Sequence, residues 1–495
     1  MTTYFLGVDI GTTSVKAIAF GEDGQIIRKQ SVGYGMFHPQ PNQSEQDPQE
    51  IFSAVVEAMN AVLDALRPAE PQLVSFSAAM HSLIAVNEQG KPLTGSMIWA
   101  DNRAAQIAAR LLDTPRGEWL YHTTGVPVHA MSPCCKLLWI KEHEPGLFHA
   151  AHKFIGIKEY VFYQLFRVYA VDTAIASATG LLNLRSLAWD AEVLAMLELP
   201  PAKLPEVVPV EKIFYFDPAK VPSVALRLSS DTPVVVGSSD GALANLGTGS
   251  TATDAVSVTI GTSAAIRILS PRPATGDAMS VFCYHATGRQ YIIGGASNNG
   301  GVVLQWIKET LLESPGSMEA LTDLAASVPA GAGDLFFLPY ILGERAPVWN
   351  SDARGVFFGF SIQHTQAHLI RAVMEGISFN VYSIGKQIMN ITPVRKIYAA
   401  GGFVQSAVWL QLLADVFNCP VMVPGSQESS ALGAVMAGIR ALDLPLTIHP
   451  EIVASYEPDP QQHEQYRQRF EKFERLYQLL KPEFEPAAVP VPVSV

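Results

Sequence analysis

Residues 4–20 read YFLGVDIGTTSVKAIAF, two apolar, β-prone runs on either side of Gly11-Thr12-Thr13, which is the pattern of a hairpin with a glycine in its turn. Residues 256–268, VSVTIGTSAAIRI, repeat it around Gly261-Thr262-Ser263. Gly11 and Gly261 lie 250 positions apart, about half of the 495-residue chain, so the two Ile-Gly-Thr turns mark corresponding points of two similar halves. An internal duplication organises the reading, although two unrelated hairpins sharing a tripeptide would look the same locally. Strand and helix patterns alternate outside the hairpins, which argues α/β layers. Asp47-Pro48-Gln49-Glu50 offers an N-cap, a proline at the first helical position and a capping-box glutamate. Ile51, Val55, Met59, Val62 and Leu66 then recur at helical spacing, and the helix should stop at Arg67-Pro68. QLVSFSAAM (72–80) reads as a buried strand that delivers His81 just past its C-terminal end, where open α/β sheets bind ligands. VRKIYAA (394–400) reads as a strand, the segment after Gly401-Gly402 as a helix ending near Asn418-Cys419-Pro420, and VMVP (421–424) leads into a helix over 429–442. GTGSTATD (247–254) is expected to separate two domains, 1–250 and 251–495, and the tail from Pro482 to be loose.

Composition narrows the function classes. With 48% hydrophobic and 16% charged residues the chain is globular, and its length suggests two to four domains, each able to bury a core. Lys and Arg number 34 against 46 Asp and Glu, a net charge of −12 with no basic face, so no nucleic-acid partner is expected. Cys134, Cys135, Cys283 and Cys419 fall in no CxxC or Cys/His spacing, which argues against a disulfide framework or a structural zinc and for a reducing cytosol. MTTYFLGVDIG lacks a basic n-region and meets Asp9 after a short apolar run, and no uncharged apolar run of about 18 residues follows. Neither export nor a membrane span is expected, and the expected location is cytoplasmic.

Gly11-Thr12-Thr13-Ser14 packs three hydroxyls behind a glycine, so N–H and O–H groups could converge on a phosphate, and Gly261-Thr262-Ser263 offers a second such turn. Two phosphate-gripping hairpins would suit a nucleoside triphosphate, with Asp9 at its strand end holding Mg2+ through water. An ordinary hairpin in which Thr and Ser favour β structure is the competing reading. No Walker A loop is present, because Gly90-Lys91 and Gly385-Lys386 precede Pro92 and Gln387. Gly247-Thr248-Gly249-Ser250-Thr251-Ala252 satisfies the relaxed dinucleotide pattern, yet it follows a helix pattern and precedes a strand, the reverse of the required context, and reads as a linker. Asp240, just beyond the strand of PVVVGSSDGALANL, stands where a general base for phosphoryl transfer to a hydroxyl is wanted, and where aspartate would serve equally as a helix N-cap. MIWADNRA (97–104) gathers Trp99, Asp101, Asn102 and Arg103, a mix of stacking, acceptor and donor groups typical of a polyol site, although a solvated helix start would look similar. Gly343-Glu344-Arg345-Ala346-Pro347 suggests a fixed loop whose role composition does not reveal.

Taken together these residues resemble the FGGY family of carbohydrate kinases over nearly the whole chain. MSPCCKLLWIKEH (131–143) fits the family's first signature at Met131, Pro133, Lys136, Leu137, Trp139, Ile140, Glu142 and His143. GVFFGFSIQHTQAHLIRAVME (355–375) approaches the second, with Phe360 departing from a smaller aliphatic residue. The resemblance implies an α/β, two-lobed, actin-like (ribonuclease H-like) ATPase fold, a duplicated domain with ATP and sugar between the lobes. It implies that Gly11, Thr12, Thr13, Ser14 and Lys16 form the first phosphate hairpin, that Gly261 and Thr262 belong to the second, and that Gly301, Gln305, Gly402 and Ser406 bind the nucleotide. It makes Asp240 the catalytic base and places Mg2+ near Asp9. Met80-His81 is similar to the substrate dipeptide of the xylulose kinases. SFSAAMHS (75–82), WADNR (99–103), TGVPVHAMSP (124–133) and FIGIKEYVF (154–162) are similar to the gluconate kinases. The implied reaction is therefore transfer from ATP to a terminal hydroxyl of gluconate, giving 6-phosphogluconate, with Met80, His81, Trp99, Arg103, Lys158 and Asp240 at the substrate. A cation must face the sugar acid's carboxylate; Arg103, Lys158, His81 and His129 are the candidates, Arg103 favoured for its forked donors. The assembly to test is a homodimer.

Three other readings stay open at this point. A xylulose or related ketose or polyol kinase would lack the need for that cation. An actin-like ATPase module would explain the hairpins but leave Met80-His81, Trp99 and Arg103 without purpose. An NAD-dependent dehydrogenase rests on residues 247–252 alone.

Overall fold

The structure, a computed structural model, describes residues 3–426 and 428–484. It divides into two compact units, one of Met1–Thr253, Ile268–Ile293 and Gly425–Glu451, the other of Asp254–Arg267, Gly294–Pro424 and Ile452–Val495.

The first unit is built on a six-stranded sheet in the order Ile213–Tyr215, Pro233–Ser239, Val74–Ala78, Phe5–Ile10, Ser14–Phe20 and Ile26–Gly33. Phe5–Ile10 and Ser14–Phe20 pair antiparallel as the first hairpin, closed by Gly11 N donating to Ser14 O at 3.1 Å. Phe5–Ile10, Val74–Ala78 and Pro233–Ser239 run parallel, with Ile10 and Ser239 both in register with Ala78. Three C-terminal strand ends therefore share one rim of the sheet, the rim where open α/β sheets place ligands.

Alternation along Phe5–Ile10 sends Leu6, Val8 and Ile10 to one face, where they join Val55, Met59 and Val62 of the helix Pro48–Leu66 in a buried cluster. Asp47 caps that helix as the sequence indicates, but Glu50 closes no capping box; its carboxylate accepts from Gly35 N at 3.4 Å instead. The other face is covered from far along the chain. Helix Ser429–Ala441 packs there on Phe5, Ile18, Phe20 and Leu73, and against Leu243 and Leu246 of the helix Asp240–Thr248. The two helices touch backbone to backbone. A Cβ on Gly433 would lie 1.9 Å from Leu243 O and one on Gly247 1.9 Å from Ser429 O, so neither position admits a side chain. This assigns Gly247 to helix packing: Gly247 and Thr248 belong to the helix and not to a linker, and the chain leaves it at Gly249, the left-handed C-cap at φ 84.

The second unit carries Ala255–Ile260 between the strand Ala264–Ser270, whose first four residues belong to this unit, and Lys396–Ala400, followed by Val421–Pro424 and Ile452–Tyr456. The second hairpin closes as the first does, Gly261 N donating to Ser263 O at 2.9 Å. Lys396–Ala400 runs parallel to Ala255–Ile260 and to Val421–Pro424. Helices Gln366–Met389, Ala407–Phe417 and Pro460–Phe484 supply the aromatic core, Phe379 meeting Tyr466, Phe470 and Phe473.

Two expectations change. The chain does not divide once near residue 250, because segments 268–293 and 425–451 return to the first unit. The tail is helical through Pro482 to Phe484, and its remainder lies outside the described residues. No helix among the described residues is long and apolar enough to cross a membrane.

Candidate active site

On the sheet rim of the first unit, Asp9 is the penultimate residue of its strand and points to the face opposite Leu6 and Val8. Its Oδ1 accepts from Ser77 Oγ at 2.6 Å, the residue beside it in parallel register. Burial pushes its carboxyl up to about 6; the Ser77 hydrogen bond opposes this, and the charge of Asp240 adds to it. Asp240 follows Pro233–Ser239, the parallel strand on the far side of Val74–Ala78. The cap of its helix is Ser239, whose hydroxyl accepts from Ala242 N, so the aspartate is not consumed as the N-cap. Asp240 is the first helical residue, half-buried, with Oδ1 accepting from Gly241 N at 2.7 Å. Two carboxylates thus face each other's field at a partly solvated rim, an arrangement that a divalent cation would relieve. Among the described residues no three His, Cys, Asp or Glu side chains form a metal cage. The Asp9 and Asp240 carboxylates are the kind and number of protein donors that suit Mg2+, which keeps waters and takes one or two carboxylates plus phosphates.

The first hairpin turn is held from below. Tyr34 OH donates to Gly11 O, Gln46 Nε2 to Thr12 O, and Trp99 Nε1 to Thr12 Oγ1 at 3.1 Å. Thr13 is exposed at the tip, with Gly11, Thr12 and Ser14 half-buried. Lys16 Nζ donates to Glu428 Oε2 at 2.8 Å, and Lys29 reaches the other oxygen of the same carboxylate. Burial would raise the Glu428 carboxyl, but the hydrogen bonds from Lys16 and Lys29 pull it below its ordinary value. A phosphate approaching Lys16 therefore competes with Glu428, a partner 412 positions away that no local pattern announces.

The expected substrate wall divides into two kinds of residue. Met80 packs half-buried among Val126, Ala178 and Tyr284. His81 sits at φ 70, its Nδ1 2.9 Å from Ala178 O and its ring edge-on to Tyr284. Arg103, by contrast, is engaged along one edge of its fork: Nε and Nη2 donate to the two oxygens of Asp101 at 2.9 Å each, Nη2 also to Glu45, and Cζ lies 5.2 Å over Trp139. With 4% of its side chain exposed it is a neutralised strut of the 97–104 loop. Lys158 is likewise 3% exposed and donates to Asp172 at 2.8 Å and to Ser238 O at 3.1 Å, two residues before Asp240. Arg103 and Lys158 therefore each carry a charge already paired inside the protein, which offers less to a substrate carboxylate than a lone cation would. Of the other candidates, His129 accepts the Met131 N–H on Nδ1 at 3.1 Å, which places its neutral-form proton on Nε2.

In the second unit, all six residues expected at the nucleotide there, Gly261, Thr262, Gly301, Gln305, Gly402 and Ser406, line one pocket of about 320 Å³. The helix Gly301–Trp306 docks on the hairpin turn, Gly301 N donating to Gly261 O at 2.6 Å and Val302 N to Thr262 O at 3.2 Å. Gly300 is required there, because a Cβ would stand 2.4 Å from the Ser263 carbonyl carbon. A Cβ on Gly402 would meet nothing within 4 Å, so that glycine leaves its side of the pocket open. Ser406 caps the helix Ala407–Phe417 through Trp409 N. Leu304, Met318 and Phe403 add apolar walls, and Glu319, Thr322 and Gln405 polar ones, none of which the sequence reading named. Apolar faces with a few polar groups are what a flat heterocycle needs.

Glu344, whose role was unassigned, is the hub behind this pocket. Buried to 1% exposure, it accepts from Ser297 Oγ at 2.6 Å, Asn298 N at 2.8 Å, Asn299 Nδ2 at 3.1 Å, Asn380 Nδ2 at 2.7 Å and Arg345 N at 2.7 Å. It thereby fixes residues 297–299, which run directly into Gly300-Gly301.

Two sheet units, each closing an Ile-Gly-Thr hairpin, one with a carboxylate rim and one with a heterocycle pocket, define a mixed α/β ATP-using phosphotransferase. Residues 4–247 match the FGGY family of carbohydrate kinases, N-terminal domain, and residues 256–442 its C-terminal domain. The chain belongs to that family: it is a carbohydrate kinase with ATP as co-substrate. It is 42% identical over 452 residues to the gluconokinase of Bacillus licheniformis, covering 89% of this chain and 88% of that one. Among solved structures it superposes with TM-score 0.93 and 34% identity on the gluconate kinase from Lactobacillus acidophilus, covering 98% and 99% of the two chains. The ligand-bound xylulose kinase from Lactobacillus acidophilus matches with the same TM-score and identity, over 97% and 99%.

Proposed function

We propose that this kinase phosphorylates D-gluconate at its terminal hydroxyl, producing 6-phosphogluconate and ADP. The observation that carries the chemistry is the shared strand rim, which brings Asp9, Met80-His81 and Asp240 to one end of one sheet with the helix cap assigned to Ser239. The choice of gluconate is supported by the gluconokinase likeness; the two structural likenesses carry both substrate names at equal identity, so the fold itself is neutral between a sugar acid and a ketose.

Asp240 accepts the proton of the attacking hydroxyl as the bond from that oxygen to the γ-phosphorus forms and the bond to the β-phosphate oxygen breaks. Thr12, Thr13, Ser14 and Lys16 hold phosphate oxygens at the first hairpin, Gly261 and Thr262 at the second, and Gly301, Gln305, Gly402 and Ser406 hold the nucleoside. Asp9 would hold Mg2+ through water, where the ion would supply neutralisation of phosphate charge. Trp99 steadies the first turn through Thr12, while Arg103 and Lys158 brace the walls. The reading carries a cytosolic location, no nucleic-acid or membrane partner, and a homodimer as the assembly, which light scattering of the purified chain reads.

A coupled ADP-release assay with Mg-ATP against gluconate, xylulose, ribulose, glycerol and no acceptor tests it. A rate with gluconate far above the others is expected. Preference for xylulose overturns the sugar-acid reading and keeps Asp240; acceptor-independent release of ADP moves the weight to an ATPase.

A further inference from the structure

Lys136, on the helix Pro133–His143, is 0% exposed, and its ammonium donates to three backbone carbonyls: His81 O at 2.8 Å, Met97 O at 3.1 Å and Ile98 O at 2.7 Å. All three N–H bonds of the ammonium are thereby used. No carboxylate among the described residues forms an ion pair with it. A buried charge satisfied only by carbonyls costs free energy that an apolar residue of similar length would not. What the charge fixes is specific. His81 is held at φ 70, a left-handed conformation uncommon for any residue but glycine, with Lys136 on its carbonyl and Ala178 O against its ring. Met97 and Ile98 lead directly to Trp99, whose indole donates to Thr12.

We propose that Lys136 is a positioning residue for the sugar acceptor, its ammonium clamping the Met80-His81 turn to the strand end before Trp99 so that both acceptor-facing segments keep one geometry. The inference rests on the acceptor reading of Met80, His81 and Trp99. It also gives the acceptor site a charge dependence. Burial lowers the Lys136 ammonium to about 7; Asp101 and Cys135 work against this, and Arg103, itself paired with Asp101 and Glu45, works with it. The remaining titratable group at the clamp is the His81 imidazole, on the clamped residue itself. Loss of the proton leaves two N–H bonds and a lone pair among three carbonyls, so the clamp loosens as pH rises through about 7. Stability runs the other way. A lysine lowered in the folded state binds its proton more weakly than in the unfolded chain, so its contribution to stability rises from about pH 7 towards the ordinary lysine range. A merely structural lysine would move stability alone.

The test measures KM for the acceptor and for ATP from pH 6 to 8.5, in the full chain and in Lys136→Met, with whichever panel sugar the enzyme turns over. In the unsubstituted enzyme the acceptor KM should rise several-fold across pH 7 while the ATP KM stays flat. Lys136→Met should raise the acceptor KM about tenfold at pH 6.5 and abolish its pH slope, with kcat within a few-fold. A flat acceptor KM in the unsubstituted enzyme overturns the proposal even if the variant does not fold. So does a slope that persists in the variant, or parallel movement of both KM values. Turnover of xylulose in place of gluconate would overturn only the substrate reading, whereas no turnover of any sugar would overturn both.

Discussion

Asp240 and Asp9 share one rim but are placed there for different work, and single substitutions separate them. Asp240→Asn removes the proton acceptor and leaves the hairpins and the second unit's pocket untouched. Transfer should fall by at least 10²-fold, the lower bound for a positioned general base, while ATP affinity by fluorescence titration stays within about twofold. Retained activity would remove Asp240 from the mechanism. Asp9→Asn should cost activity and yet stabilise. The Asp9 carboxyl is raised to about 6, so between the ordinary aspartate range and pH 6 the folded state binds the proton more tightly than the unfolded one. The charged form at pH 7.5 is therefore disfavoured by the fold. The asparagine variant should melt at a higher temperature than the parent at pH 7.5 without Mg2+, the gap closing towards pH 5. A gap that widens on acidification would contradict burial as the cause.

At the scale of elements, the Glu344 loop makes the sharpest case. Five donors and no acceptor surround its carboxylate, so Glu344→Gln, which turns one acceptor into a donor, should be no rescue for Glu344→Ala. Both should raise the ATP KM with little change in the acceptor KM. Each should also lower stability in urea by at least the about 1–3 kcal/mol expected for one buried polar group left unpaired. An unchanged ATP KM would make the hub a matter of stability alone. The contrast with the hairpins shows what the sequence could and could not convey. The turns at Gly11 and Gly261, the strand before His81 and the strand-to-helix step at Asp240 are local signals, written in consecutive residues. Glu428 under Lys16, Asp101 and Glu45 around Arg103, and the donors around Glu344 are brought together by folding, and no spacing in the chain announces them. Arg103 shows the difference: its forked donors were legible, the carboxylates they bind were not. The helix over 429–442 was legible as a helix, but not as the cover of the first sheet.

Over the whole molecule, the first unit is assembled from segments far apart in sequence, and truncation should expose this. Residues 1–253 alone leave Phe5, Ile18, Phe20, Leu73, Leu243 and Leu246 without the helix Ser429–Ala441 that buries them. Expressed alone, that fragment should aggregate or lack cooperative unfolding, and co-expression with residues 268–293 and 425–451 should recover soluble, cooperatively melting material. A soluble, cooperative fragment without the partner segment would show that the helix is dispensable. The same return has a consequence during synthesis. A ribosome that has finished residue 253 must add 198 more before residue 451 emerges, roughly 10–40 s at ordinary elongation rates. For that interval the nascent sheet has one finished face and one bare apolar face, and its safety depends on what shields it inside the cell. Codon choice between residues 254 and 451 and the supply of chaperones should therefore set the yield of active enzyme more strongly than its final stability does.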